Sequence, residues 1–528
     1  MENKAVEFKT IKKVSIAWVN KLSDSIFVKK YFYFILVLLF LSVYFFLNFV
    51  YGIDKGGRWD LYEHIAIADR FISGKGFYYS PIEASTPYFP GLAFLSVVIG
   101  TLCNPWRDYV MLVLASLSGT LLLFFLILTS KDSIKHKWIG IAIVTIVFYQ
   151  GFHDYMFYMN EFKADSLILV YSFIIAIIID KLKEDKLKYN IEVFFLLFII
   201  ALLMDVTKQQ ALYTDAAFGF YLLFTKKMSF KKRLLILSPL IVAGLVDIVI
   251  VFSIPNLSVT AIKNLKEMPF FCLDKIVSMS INFFRCNCIF IILMVLYAVL
   301  LIMKKTVISD IHKNWLLIAV FFAIGQFAGG IKIGGNEGNF EAGVIAFLPF
   351  VIIAADFIYD KISALFIKDD FKKAISVMCQ AIMSVILIAL SIHFAASIPS
   401  TLSNKIACDN AVSEYLTKKC DGEKIMYDSD NYMRVIRSNA VPEMDIYTVP
   451  LYLSEYSTLI EDTLSSQKYK YLYIIPSDLM SFDNINLEYQ ELETHYFDTF
   501  RQNYTSVDDD QMPDELKGRL YISNDSLQ

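Results

Sequence analysis

The chain has 528 residues, 56% of them hydrophobic and 15% aromatic, with a mean hydropathy of +0.52. That is far more apolar surface than one water-soluble core can hide, which excludes a single soluble globular domain. The formal net charge is only −3, so no nucleic-acid partner is expected.

Residues 1–30 are rich in lysine (Lys4, Lys9, Lys12, Lys13, Lys21, Lys29, Lys30) and lead into the apolar run Tyr31 to Val50, a signal-anchor pattern with no small-residue cleavage site after it. Apolar runs of the roughly 20 residues needed to cross a bilayer then recur until about Ser397. Basic residues crowd the connections at 131–137, 181–188, 226–233, 304–313 and 361–373, which places these loops on the cytoplasmic side. The connections at 51–108, 151–163, 205–210, 255–280 and 329–341 are mixed in charge and face out. The alternation holds only if Gly91–Cys103 does not cross, so that segment is read as re-entrant or surface-lying. The expected topology is about 11 spans, N-terminus cytoplasmic and C-terminus outside.

The first outer loop predicts a helix from about Trp59 to Ser73. Ile65, Ala66, Ile67, Ala68, Phe71 and Ile72 form its apolar stripe, and Gly74 stops it. Asp60, Glu63 and His64 share one face at i, i+3 and i+4. Two readings of Asp60 stay open, a helix N-cap and a general base. The second outer loop brings His153, Asp154 and Glu161 to the same side and ends on Asp165 at the head of a span, where an ionisable group needs a partner or a polar cavity. Lys208, in the 205–210 turn, and Lys332, in the glycine-rich stretch 329–340, lie in apolar surroundings, where a lysine either holds a phosphate or snorkels to the interface. His64, His153 and Asp154 have metal-ligating side chains, but no recognised ligand spacing is present and no cofactor is required.

After Ser397 the pattern changes. Residues 398–528 carry 23 acidic and 11 basic side chains, a net of −12, which leaves +9 on the remainder. Short alternating pieces predict a small α/β domain: helix 407–419, strand 424–427, helix 430–437, helix 453–465 and strand 469–475. Cys408 and Cys420 are the two thiols of this region. If 407–419 is one helix they stand about 18 Å apart, too far for a disulfide.

Taken together, these residues resemble the GT-C class of membrane glycosyltransferases, in particular the family of protein mannosyltransferases and bacterial lipid A aminoarabinose transferases. The resemblance rests on Asp60, Ala68, Gly74, Tyr79 and Pro90 after the first span, Asp165 opening a later span, the pair Lys208-Gln209, and the segment Lys332 to Phe340 with Asn336 and Asn339. It departs from the pattern where Leu61 follows Asp60, since many family members have adjacent Asp-Glu and here the acid is Glu63.

The resemblance implies an inverting transfer from a polyprenyl-phosphate-linked sugar to an extracytoplasmic glycan, glycolipid or protein. Asp60 is then the general base, and Asp165 a second catalytic acid. Arg58, Lys208 and Lys332 hold the phosphate, and Glu63, His64, Tyr79, Gln209, Asn336 and Asn339 line the substrate site.

The expectation is thus an α-helical polytopic membrane protein of GT-C-like architecture in the cell membrane. Residues 1–30 are its cytoplasmic N-terminus, 31–397 its transmembrane part, with 51–108 as first outer loop, and 398–528 an extracytoplasmic α/β domain. The alternatives are a flippase for polyprenyl-linked glycans, which predicts ionisable residues well inside spans, as Asp247 and Arg285 are, and a non-catalytic accessory protein.

Overall fold

The structure, a computed structural model, describes residues 32–55, 59–74, 76, 89–103, 106–150, 165–225, 227–258, 273–304, 310–331, 337–366, 369–428, 431–446, 458–480 and 495–527. Its membrane part is helical: α1 Tyr33–Lys55, α2 Trp59–Ile72, α3 Gly91–Cys103, α4 Arg107–Ser130, α5 Lys137–Gln150, α6 Asp165–Lys183 and α7 Ile191–Asp205. It continues with α8 Ala211–Phe224, α9 Phe230–Ser253, α10 Leu273–Ile302, α11 Asp310–Ile331, α12 Glu337–Ile345, α13 Leu348–Phe366 and α14 Asp369–Lys419. Among the described residues six helices, α1, α4, α9, α10, α11 and α14, are long and apolar enough to cross a membrane. Their outer faces show Phe252, Ile302 and Val385 to the surroundings at 69%, 81% and 67% exposure. A protein in water buries side chains like these, whereas lipid covers them without cost. The chain is a multi-pass membrane protein.

Local chemistry sets the helix boundaries. Asn190 caps α7 by accepting from the Val193 backbone N–H at 2.9 Å, and Ser229 caps α9 by accepting from that of Lys232 at 3.3 Å. α2 ends as its sequence predicts, with Gly74 at φ +76°, the left-handed conformation that glycine adopts without a Cβ clash. α10 is broken at Asn287, whose φ of −121° and ψ of 19° leave the helical region.

The division expected at residue 398 falls inside α14, a continuous helix of 51 residues, about 76 Å long at 1.5 Å per residue. It contains Pro399, and the Ser397 and Ser400 hydroxyls donate to the carbonyls of Phe394 and Ser397 around it. One rod therefore leads from the membrane into the tail, where the sequence suggests a break and a fresh helix at Ala407.

The tail is a small α/β unit. Strands β1 Lys424–Tyr427, β2 Val441–Asp445, β3 Tyr471–Tyr473, β4 Tyr504–Ser506 and β5 Leu520–Ser523 form one sheet in the order β2-β1-β3-β5-β4. β1 runs parallel to β2 and β3, and β5 antiparallel to β3 and β4. Helices α15 Tyr432–Arg437, α16 Thr458–Ser465 and α17 Tyr496–Asn503 complete it. The predicted strand 424–427 is found at its expected bounds, and 469–475 shortens to Tyr471–Tyr473. β2, β4, β5 and α17 are additions, short pieces whose pairing partners are distant in sequence. Cys408 and Cys420 are both free thiols.

One apolar core joins the tail to the membrane part. Leu61, Tyr62 and Ile65 of α2 and Tyr109 and Leu112 of α4 pack in the same cluster as Val412, Tyr415, Tyr432, Val435 and Tyr473.

Candidate active site

Burial of one apolar face fixes α2. Leu61, Ile65 and Ala68 are fully buried, and the same packing encloses Glu63 and His64, which are buried side chains and not open to solvent. Asp60 lies in the first turn of α2, one turn before them. Its side chain is outside the described residues, as are Arg58, Tyr79, Lys332, Asn336, His153 and Asp154 and the side chain of Asn339 on α12.

Asp165 and Lys208, both singled out by sequence, meet. Asp165 begins α6, and Lys208 sits in the tight turn between α7 and α8, where the Lys208 carbonyl accepts from the Ala211 N–H at 3.0 Å. Lys208 Nζ lies 3.0 and 3.2 Å from the two Asp165 oxygens, and Gln326 Nε2 of α11 donates to Asp165 Oδ1 at 2.5 Å. All three are at least nine-tenths buried. Neither Asp165 nor Lys208 presents an unbalanced charge, because each neutralises the other in a low-dielectric setting. The sequence requires a partner or a polar cavity for Asp165 without saying which. The fold supplies a lysine 43 residues away.

The turn carrying Lys208 is clamped by α3. Gly91 N–H donates to the Val206 carbonyl at 2.8 Å, and a Cβ on Gly91 would come within 2.7 Å of that oxygen. Only glycine allows this approach. Gln209, beside Lys208, accepts through its carbonyl from the Leu212 N–H at 3.2 Å.

A groove of about 490 Å³ runs beside this cluster, walled by Phe283 and Phe284 of α10, Phe327 of α11, Phe340 of α12 and Phe347 in the turn before α13. Ala323 and Phe327 line it, while Gln326 on the same turn of α11 points to Asp165. Gly343 of α12, also on the groove, sits against Ala323 and Gln326. An apolar slot in the membrane and a buried polar cluster thus share the wall of one helix.

Two sets of residues escaped the sequence reading. Gln326 carries a signal, an amide inside an apolar span. Asp205, Asp215 and Asp247, from α7, α8 and α9, lie close enough to interact electrostatically, and of these Asp247 alone stood out as a charge inside a span. Among the described residues no three His, Cys, Asp or Glu side chains converge as a metal site.

No protein-family model and no curated protein matches the chain. Among solved structures it is similar to the Archaeoglobus fulgidus oligosaccharyltransferase tethered to an acceptor peptide containing the NVT sequon, at 12% identity and a TM-score of 0.48, covering 91% of this chain and 73% of that one. It is similar to the oligosaccharyltransferase AglB of the same organism in complex with an inhibitory peptide and a dolichol-phosphate, at 10% identity, a TM-score of 0.49 and the same coverage. It is also similar to apo ArnT from Cupriavidus metallidurans, at 11% identity and a TM-score of 0.47, covering 84% of this chain and 94% of that one. These neighbours are membrane glycosyltransferases of the GT-C class.

Proposed function

We propose that the protein transfers a sugar from a polyprenyl-phosphate-linked donor to an acceptor at the outer membrane face. The observation that carries this reading is the buried Asp165–Lys208–Gln326 cluster set against a phenylalanine-lined groove in the membrane. The groove suits an isoprenoid chain, and the neighbouring ammonium suits the phosphate at its head.

In this reaction an acceptor hydroxyl or amide attacks the anomeric carbon from the face opposite the phosphate. The bond from that carbon to the phosphate oxygen breaks, and the configuration inverts. Asp60 takes the acceptor proton. Lys208 and Lys332, with Arg58, stabilise the charge that grows on the leaving phosphate. Asp165 positions Lys208, which makes it a support for the phosphate site and not a second base. Glu63, His64, Tyr79, Gln209, Asn336 and Asn339 remain substrate contacts in this proposal, and no cofactor is invoked. The plasma membrane, with the N-terminus inside and the tail outside, is the proposed setting.

The test is release of polyprenyl phosphate from a panel of polyprenyl-phosphate sugars by wild type and Asp60→Asn. Loss of release in the variant supports the assignment of the base, and equal release refutes it. A flippase is the second reading, favoured by the burial of Asp247 inside α9 near Asp205 and Asp215. Movement of lipid-linked glycan across proteoliposomes without release of any lipid phosphate selects it.

A further inference from the structure

Where α14 leaves the membrane part it faces the head of α4 across a cleft of about 610 Å³ that shares no residue with the Asp165 cluster. On one side stands Trp106, its side chain half exposed and its ring 5.9 Å from that of Tyr109. On the other, Asn410, Glu414, Thr417 and Lys418 fall at i, i+4, i+7 and i+8, one face of α14. Asn410, Glu414 and Lys418 are exposed and make no hydrogen bond or ion pair among the described residues. Arg437 forms the floor. Its guanidinium lies 5.6 Å from the Tyr109 ring centre and is already held by Asp108 and Asp409.

A tryptophan at the head of a span is also what an interfacial belt provides. The facing wall distinguishes this one. A purely apolar ligand would bury an amide, a carboxylate and an ammonium without partners, at a cost for each. A strongly charged ligand of either sign meets Glu414 as well as Lys418. A ring with one C–H face and several hydroxyls satisfies both walls, stacking on the indole while its hydroxyls pair with Asn410, Glu414 and Lys418.

We infer that this cleft binds a saccharide. The sugar comes either from a free glycan chain or from a lipid-linked one, and the same chemistry recognises both.

The test uses the full chain in nanodiscs, with saturation-transfer NMR on soluble manno-, malto-, chito- and uronate oligosaccharides. A second arm presents the same sugars on short-chain lipids. Binding in the soluble arm, weakened about tenfold or more in Trp106→Ala, supports a free glycan; a truncated tryptophan at a binding hot spot costs at least this much. Binding confined to the lipid arm, with the same loss, supports the lipid-linked source. No binding in either arm, or equal affinity in wild type and Trp106→Ala, overturns the inference. If Trp106→Ala fails to fold, Asn410→Ala and Lys418→Ala decide, since both side chains are exposed and each is expected to weaken binding severalfold. Sugar binding here without turnover of any donor would leave this inference standing while removing the transfer reaction.

Discussion

Two buried ionic sites in this molecule are built in opposite ways. In the membrane part, Asp165 has one cation, Lys208, and one amide, Gln326. At the joint with the tail, three acids share four cations. Arg107 holds Asp69 through both carboxylate oxygens, and Tyr432 donates to the same carboxylate at 3.0 Å. Arg437 Nη2 donates to both oxygens of Asp108 at 2.8 Å. Asp409 collects Arg434 at 2.9 Å, Lys405 at 3.3 Å and Arg437 at 3.4 Å. Burial is similar in the two places, with Asp165 4% and Asp108 3% exposed. Redundancy is what differs. Loss of Lys208 leaves Asp165 without a cation, whereas Asp409 keeps two when any one of its three is lost. A mechanical joint gains from redundancy; a site that receives an anion gains from a lone cation whose partner can be shared.

The largest effect should come from breaking the single pair. Lys208→Met is expected to destabilise the protein by about 3–5 kcal/mol, the usual cost of leaving a buried charge unpaired. Asp165→Asn combined with Lys208→Met should recover most of that in thermal unfolding in nanodiscs. A double variant no more stable than Lys208→Met would show that the pair is not coupled as the distances imply.

At the joint, Lys405→Ala leaves Asp409 with both Arg434 and Arg437. The expected loss is smaller, about 2 kcal/mol, with faster hydrogen exchange confined to residues 431–446 and the head of α4. Exchange that also rises around Lys208 would contradict the separation of the two sites.

Gly91→Ala probes the link between α3 and the Lys208 turn. Its Cβ would meet the Val206 oxygen at 2.7 Å, and a backbone shift of this kind costs about 1–3 kcal/mol. Reduced stability together with reduced donor turnover is the expected result.

Cys420 gives a milder contrast within the tail. Burial pushes its thiol up to about 12, so it should resist maleimide at pH 8 until the protein is denatured. Rapid labelling of the folded protein at Cys420 would contradict the packing of β1 on α14.

The smallest effect concerns pH. The Lys419 ammonium, then the Gln511 backbone N–H, hold the partly exposed Asp509 carboxyl down from 3.8 to about 2. A depressed carboxylate stabilises the folded state above its unfolded pKa and loses that contribution as pH falls. The contact of Asp509 with Lys419 and Tyr415 should therefore be intact above pH 3.8 and weaken as pH drops toward about 2. Asp509→Asn should flatten that dependence.

The legible parts of this molecule are those written in local patterns. Apolar runs marked a membrane protein, the stripe Ile65–Ala68 marked α2 although Phe71 and Ile72 at its end lie exposed, and Gly74 marked its stop. At the candidate site Asp165 and Lys208 drew attention because charge is costly in apolar surroundings. Their mutual pairing was not legible, because it depends on α6 and the α7–α8 turn being neighbours in space. Asp69 and Arg107 went unnoticed for a related reason, since each looks like an ordinary surface charge until α2, α4 and α15 are packed together. The change of pattern after Ser397 misled in the other direction, suggesting a division where α14 runs on through Pro399.

The most direct measurement is donor turnover by the single-pair variants in nanodiscs. Wild type should release polyprenyl phosphate from at least one polyprenyl-phosphate sugar. Asp165→Asn/Lys208→Met, folded by its unfolding profile, should lose that release about a hundredfold or more, the scale of removing one preorganised electrostatic group. A folded double variant that releases lipid phosphate at the wild-type rate would contradict the placement of the leaving group at Lys208.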